Sequence, residues 1–274
     1  MGEWRVKDQV IIITGGSRGI GFAAAQALVR RGARVAILAR NAQRLEQAVA
    51  ELKSQTQGAQ VLGLALDVCE RAALERAFDT VVGQWGRLDG LINNVGFQYA
   101  RRLEIIPESE IRQLLDLNFL SAVFGCQCAI PRMRASGGGR IVNVSSASVR
   151  HDNEFAHLGV YSAAKAALDH FTAELRGEIQ KDGIMVTLFS PGAVATGSVD
   201  NFDPQALAEA MPAWLEKGPY FDGAIMQTEV VGEAMAHCFE YPPGVAVDFM
   251  EVKPHVNTPK ALESDWDNEA REQP

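Results

Sequence analysis

Short β-branched runs alternate along this chain with longer stretches of helical periodicity, and few folds accept that rhythm. Runs at 10–14 (VIIIT), 34–39 (RVAILA) and 61–65 (VLGLA) are followed by helical stretches at 19–31, 42–54 and 71–85. The second half repeats the pattern, with strands over 88–93, 140–145 and 185–190, helices over 108–133 and 161–181, and a last strand over 245–251. Strands that are apolar throughout suit a parallel sheet covered by helices on both faces, because neither face then meets water. The spacing therefore predicts an α/β fold, a doubly wound parallel sheet of about seven strands. No linker rich in Pro, Gly or Ser divides the chain, and SGGGR at 136–140 reads as a helix-to-strand turn. Residues 1–252 are expected to form one domain, with 253–274 a polar C-terminal tail. Within the domain, 197–226 breaks the rhythm, reads as loop-like and is expected to be a lid.

The first strand runs directly into Thr14-Gly15-Gly16-Ser17-Arg18-Gly19-Ile20-Gly21, which opens a helix of small residues. Glycines suit a tight strand-to-helix turn in which backbone amides approach a pyrophosphate and the helix packs close to the strand. The helix N-terminus then carries the anion. A glycine pattern alone is weak, but this one lies between a first strand and a helix, the context that makes it a dinucleotide site of the Rossmann type. Gly15, Ser17, Arg18, Gly19, Ile20 and Gly21 are the expected binding residues.

The end of the second strand bears on which dinucleotide binds. A site for NAD usually has an acidic residue about 20 residues beyond the glycines, where it accepts from the ribose hydroxyls. Here the strand ends Leu38-Ala39-Arg40-Asn41. The acid is missing, Arg40 stands beside its place and Arg18 approaches from the glycine turn. Guanidinium groups grip a phosphate with paired donors, so NADP(H) is favoured over NAD(H). The bland alternative is that both arginines are solvated surface residues. Asp67 and Val68, after the third strand, are expected near the adenine edge, although an Asp there is as often a helix cap.

Tyr161 and Lys165, in YSAAK at 161–165, lie four apart and so share one helix face. Ser145-Ser146 closes the strand before them. A phenol whose ordinary pKa of ~10 is to fall toward neutrality, an ammonium that stabilises its anion and a hydroxyl that holds a carbonyl make a proton-transfer device. YxxxK by itself carries little information. Its company gives it meaning: NNVG at 93–96, Asn118 in LDLNFL, IVNVSS at 141–146 and SPGAVAT at 190–196.

With these motifs in this order, the chain resembles the short-chain dehydrogenase/reductase family from about residue 7 to 251. The resemblance implies an enzyme transferring a hydride between NADP(H) and a carbonyl or secondary alcohol. It implies Tyr161 as general acid in reduction and general base in the reverse direction. Lys165 would lower the tyrosine's pKa and hold the nicotinamide ribose, Ser146 would orient the carbonyl, with Ser145 as the alternate, and Asn118 would support a water-linked proton path through Lys165. Asn94 and Gly96 would line the cofactor trough, and Pro191, Gly192, Val194 and Thr196 would hold the nicotinamide. Asn93 reads as a hydrogen-bonding residue within the sheet. Homodimers or homotetramers are implied, although the stretch after the sixth strand lacks the family's usual glycine-rich turn. Val95 replaces the usual alanine of NNAG, and the segment between Ser146 and Tyr161 is slightly longer than usual.

The expected lid contains Phe202, Leu207, Met211, Trp214, Leu215, Tyr220, Phe221 and Met226. With Phe97 and Tyr99 it suggests an apolar pocket that excludes water around the hydride, hence a hydrophobic or bulky ketone as the small-molecule substrate. Arg101 and Arg102 keep open an acidic carrier, and so a 3-oxoacyl-thioester reductase. A non-catalytic NADP(H)-sensing protein would not need Ser146, Tyr161 and Lys165 together. His151 and His157 are read as solvated loop residues, with substrate contact the alternative. The net charge of -8, without a long Lys/Arg cluster, argues against nucleic acid and anionic membrane as partners. No apolar run of roughly 18 residues is expected, and residues 1–8 are too polar for a signal-peptide core, so a cytoplasmic protein is expected. Cys69, Cys126, Cys128 and Cys238 form no CxxC pair and read as reduced thiols, and no metal site is expected.

Overall fold

A computed structural model describes residues 6–150, 155–197, 202–217 and 225–254. Seven parallel strands form one sheet: β1 (Val10–Thr14), β2 (Arg34–Ala39), β3 (Gln60–Ala65), β4 (Gly90–Asn93), β5 (Gly139–Val144), β6 (Ile184–Pro191) and β7 (Phe249–Val252), in the order β3-β2-β1-β4-β5-β6-β7. The order reverses at β1. To one side the chain steps outward to β2 and β3, to the other through β4, so a crevice opens beyond the carboxyl ends of β1 and β4, where such sheets bind ligands.

Alternation along each strand divides the core. Ile11 and Ile13 pack into one apolar layer with α1 (Gly19–Arg30), α2 (Ala42–Gln55) and α8 (Thr228–His237), while Val10 and Ile12 face a second layer with α3 (Arg71–Trp85), α5 (Ser121–Ala135) and α6 (Gly159–Ile179). Successive strand side chains point to opposite faces, so one continuous apolar run feeds both layers. Each fully buried Ile or Leu contributes roughly 1.5–3 kcal/mol, which makes these layers the main source of stability.

The first layer also explains the small residues of α1. Gly232 of α8 lies so close to α1 that a Cβ there would stand 2.5 Å from the Ala23 carbonyl carbon. The alanines of α1 therefore admit a second helix as well as the sheet. The sequence rhythm gave no sign of α8, which follows the lid without a strand between them.

Two further differences bear on the site. The expected helix over 108–133 is α4 (Glu108–Leu115), a π-helical turn at Asp116–Leu120, and then α5. Taken together, Glu108–Ala135 contains an 18-residue window of mean hydropathy 1.4, apolar enough by composition to cross a membrane, which corrects the expectation that no such run exists. Half of that window is buried within the protein. The lid region, expected to be loop-like, contains the helix α7 (Pro204–Lys217), with Pro212 inside it. The Asp203 carboxylate accepts from the amides of Gln205 and Ala206, satisfying donors that the first helical turn leaves open.

Candidate active site

The crevice at the switch point is a cleft of about 480 Å³. Its floor is the glycine turn. Gly15 has φ +68°, in the left-handed region that favours glycine, and a Cβ on Gly21 would lie 2.5 Å from both the Gly15 carbonyl oxygen and Asn94 Nδ2. The turn is stitched to the neighbouring strand: Asn94 donates from its backbone N to Thr14 Oγ1 at 3.0 Å and from Nδ2 to the Thr14 carbonyl at 3.0 Å. At the start of α1, Arg18 is the N-cap residue with no side-chain capping bond, so the turn offers backbone amides and a positive helix end to an anion.

Of the residues singled out in the sequence, Gly15, Ser17, Arg18, Gly19, Ile20, Arg40, Val68, Asn94, Gly96, Ser146, Tyr161, Lys165, Pro191, Gly192, Val194 and Thr196 all line this cleft. Three do not. Gly21 lies beneath the turn as packing. Asp67 Oδ1 instead accepts from the Cys69 amide at 2.9 Å, closing a turn two residues on rather than capping a helix, since the N-cap of α3 is Glu70, and its other oxygen stands 4.0 Å from Arg40 Nη1. Asn118 sits behind the wall at the centre of the π-helical turn. Its Oδ1 accepts from the Phe97 amide at 3.0 Å, and its Nδ2 donates to the carbonyls of Phe97, 2.7 Å, and Leu114, 2.9 Å. The extra residue of a π-turn re-aims a side chain, and such turns recur at functional sites.

Residues missed in the sequence complete the cleft. Asn41 and Arg44 join Arg18 and Arg40 at the end of β2. Asn41 caps α2 by accepting from the Arg44 amide at 2.8 Å, and that Asn-x-x-Arg spacing is the signal that would have found Arg44. Gln98, Ser148, Phe155 and Ile225 also line it, without a motif to announce them.

Tyr161 and Ser146 both line the cleft wall, the serine hydroxyl near enough to favour the phenolate. Ser146 begins a single 3-10 turn, where its Oγ accepts from Ser148 Oγ at 3.0 Å and the Ser148 amide at 3.2 Å. Ser145 points elsewhere, donating to the Asp169 carboxylate. The two serines are thus separated by the extended backbone, one facing the phenol and the other α6. Lys165 is 2% exposed and donates from Nζ to the Val144 carbonyl at 2.8 Å. Gly96 leaves the space between Lys165 and Asn118: a Cβ there would stand 3.3 Å from Asn118 Oδ1 and 3.4 Å from Lys165 Nζ.

The electrostatics differ from the expectation. Burial pushes the Tyr161 phenol above its ordinary value, against the pull of the nearby Ser146 hydroxyl, rather than toward neutrality. Burial also pushes the Lys165 ammonium down to about 8, with the Asp169 charge opposing the fall. Taking either group out of water disfavours its charged form.

The outer wall is apolar. Phe202 and Trp214 of the lid pack with Phe155, Leu158 and Tyr161 in a third hydrophobic cluster, and the Trp214 indole donates to the Ala156 carbonyl at 2.8 Å. Tyr99 turns its hydroxyl to Gln113 Oε1, 2.6 Å away, and does not line the cleft. His157 does not line it either; it has φ +65° and its carbonyl accepts from the Arg101 amide at 3.0 Å. His151, Tyr220, Phe221 and the tail beyond 254 lie outside the described residues. Among the described residues no His, Cys, Asp and Glu cluster suits a metal ion. The four cysteines are free, and burial pushes each thiol up to about 12.

Comparison with known proteins agrees with this arrangement. The family described as short chain dehydrogenase matches residues 9–206. The chain is 36% identical over 201 residues to a sorbitol dehydrogenase of Cereibacter sphaeroides, covering 73% of this chain and 75% of that one. It is 29% identical over 242 residues to the uncharacterized oxidoreductase YxnA of Bacillus subtilis (strain 168), covering 87% of this chain but only 64% of the longer relative. An alcohol dehydrogenase from the archaeon Thermococcus sibiricus, solved in complex with 5-hydroxy-NADP, superposes with a TM-score of 0.76 at 26% identity, over 92% of this chain and 99% of that one.

Proposed function

The chain belongs to the short-chain dehydrogenase family of oxidoreductases, and from that premise we propose that it reduces a hydrophobic, bulky ketone with NADPH, Tyr161 donating the proton. The observation that carries this reading is that Ser146, Tyr161 and Lys165 line one cleft whose floor is the glycine turn.

The residues present fit a nicotinamide dinucleotide. The left-handed Gly15 and the N-terminus of α1 suit the pyrophosphate. Arg18, Arg40 and Arg44 line the end where a 2'-phosphate would lie, and no carboxylate lines the cleft there. Asp67, the nearest acid, is occupied by the Cys69 amide and leaves Arg40 59% exposed. That donor set favours NADP(H) over NAD(H), because a phosphate dianion gains from guanidinium groups what it would lose to a carboxylate. Pro191, Gly192, Val194 and Thr196 would hold the nicotinamide, which supplies the hydride.

The chain's own residues supply everything else. Ser146 Oγ orients the carbonyl oxygen and Tyr161 gives it the phenolic proton. A phenol kept protonated by burial can act as the proton donor in reduction. Lys165 stabilises the phenolate left behind, and Asn118 fixes the Phe97 backbone beside it. The apolar outer wall excludes water around the carbonyl.

Substrate class follows from which polar groups are already engaged. The indole N–H of Trp214, which lines the cleft, is directed to Ala156, so its ring is held by a bond that points away from a substrate. Arg101 is paired with Glu110 at 2.7 Å and Arg102 with Glu104, which neutralises the cations that an acidic thioester carrier would need. The test is NADPH and NADH oxidation against aliphatic, aromatic, steroid-like, sugar and acyl-thioester carbonyls, together with calorimetric binding of each cofactor. Turnover confined to sugars or thioesters would overturn the substrate class, and binding of NADPH without any turnover would make the protein a sensor.

A further inference from the structure

Beyond Tyr161, Lys165, Ser146 and Asn118, one half-buried carboxylate touches the site from behind. Asp169 lies one turn after Lys165 on α6, on the same helix face, and its side chain is 13% exposed. Its Oδ1 accepts from Ser145 Oγ. Its Oδ2 pairs with Arg150 Nη2 at 2.7 Å, and the Arg150 guanidinium lies 4.3 Å from the centre of the Phe249 ring at the start of β7. Ser145 is itself held on its backbone, its amide donating to the Phe189 carbonyl of β6 at 2.7 Å. Asp169 therefore joins α6 to the peptide carrying Ser146 and, through Arg150, to the edge strand.

We propose that Asp169 is a positioning residue of this site: its carboxylate anchors Ser145, and with it the adjoining Ser146, and its charge stands one helical turn from the Lys165 ammonium. The inference rests on the proton-transfer reading of Tyr161, Lys165 and Ser146 given above. Two physical consequences follow. Anchoring Ser145 fixes the extended backbone on which Ser146 reaches Tyr161, so the hydroxyl meets a substrate oxygen without first being ordered. A half-buried negative charge beside a buried ammonium opposes the loss of its proton, and Asp169 is the charge that raises Lys165 against its burial.

The charges facing the pair are few among the described residues. Lys165 meets Asp169 and Tyr161 from its own helix, the Val144 carbonyl from β5 and, across Gly96, the neutral Asn118 from the π-turn. Asp169 meets Lys165 from its own helix and Arg150 from the turn after β5, while β7 contributes the uncharged ring of Phe249. Arg150 thus neutralises part of the charge that Lys165 would otherwise feel, and the two substitutions below pull in opposite directions.

The test is the pH profile of kcat for NADPH-dependent reduction in the full chain, with Asp169→Asn, Asp169→Leu and Arg150→Met. Asp169→Asn keeps an acceptor for Ser145 and removes the charge, so the alkaline limb should move to lower pH by about one unit while KM changes less than about twofold. Asp169→Leu removes the acceptor too, and KM should rise about tenfold in addition. Arg150→Met unmasks the carboxylate, and the limb should move to higher pH. A limb left unmoved in both Asp169→Asn and Arg150→Met, or moved the same way in both, overturns the proposal. Tyr161→Phe is run beside them: if it turns over normally the proton-transfer reading has failed, whereas an inactive Tyr161→Phe with unmoved limbs removes Asp169 alone.

Discussion

The Trp214 indole, on the helix that follows β6, donates to the carbonyl of Ala156 at 2.8 Å, five residues before Tyr161 in the chain. The lid is thereby tied to the turn that launches α6. His157, next to Ala156, sits in the left-handed region at φ +65°, a conformation a non-glycine residue keeps only where its surroundings over-determine it. Trp214 on one side and the Arg101 amide on the other supply that constraint.

Trp214→Phe keeps an aromatic ring and deletes the donor, leaving the Ala156 carbonyl without this partner. KM for a bulky ketone should rise about fivefold to tenfold, the worth of one hydrogen bond of about 1–1.5 kcal/mol, with little change in NADPH affinity. Steady-state kinetics with calorimetry checks this, and an unchanged KM would show that the clasp does not shape the pocket.

Tyr161→Phe should abolish turnover, by at least about a thousandfold, while NADPH binding stays within about threefold, because only the transferable proton is lost. Single-turnover absorbance and cofactor titration separate the two effects.

Arg40→Ser should weaken NADPH by about tenfold or more, the worth of a charge-assisted phosphate contact, and leave NADH nearly unchanged. Equal losses for both cofactors would return Arg40 to the solvated surface. Arg44→Ser should behave in the same way, since it lines the same end of the cleft.

Lys165→Met should inactivate the enzyme yet stabilise it at pH 7. The Lys165 amine is held at about 8 in the folded chain against an ordinary 10.5, so the unfolded chain binds more protons between those values. Its charge therefore costs stability below pH 8, by roughly 3 kcal/mol before subtracting the lost bond to Val144, and the cost fades as pH rises to 10.5. Thermal melts of both proteins from pH 6 to 10.5 should converge at the alkaline end. A Met variant less stable at every pH would show that the hydrogen bond outweighs the buried charge.

Gly232→Ala should destabilise the fold by about 1–3 kcal/mol, because the new methyl meets the backbone of Ala23 rather than a side chain that can move. Denaturant unfolding would register it as a lower midpoint with an unchanged slope.

The sheet and the glycine turn at its carboxyl edge were legible in the chain because they depend on local rules. Alternating apolar runs specify strands and their two buried faces, and a glycine turn between strand and helix needs only backbone sterics to be recognised. Five strand-helix periods and the spacing from Tyr161 to Lys165 follow from the order of residues alone, since positions four apart on a helix share a face whatever surrounds them. The place of Ser146 rather than Ser145 against Tyr161, the π-turn that aims Asn118, the helix inside the lid, the engagement of Trp214 with Ala156 and the carboxylate of Asp169 behind Lys165 were decided only by folding. Each of these depends on groups distant in sequence meeting out of water, where burial and a single hydrogen bond set direction and charge, and no local pattern records which distant partner will arrive.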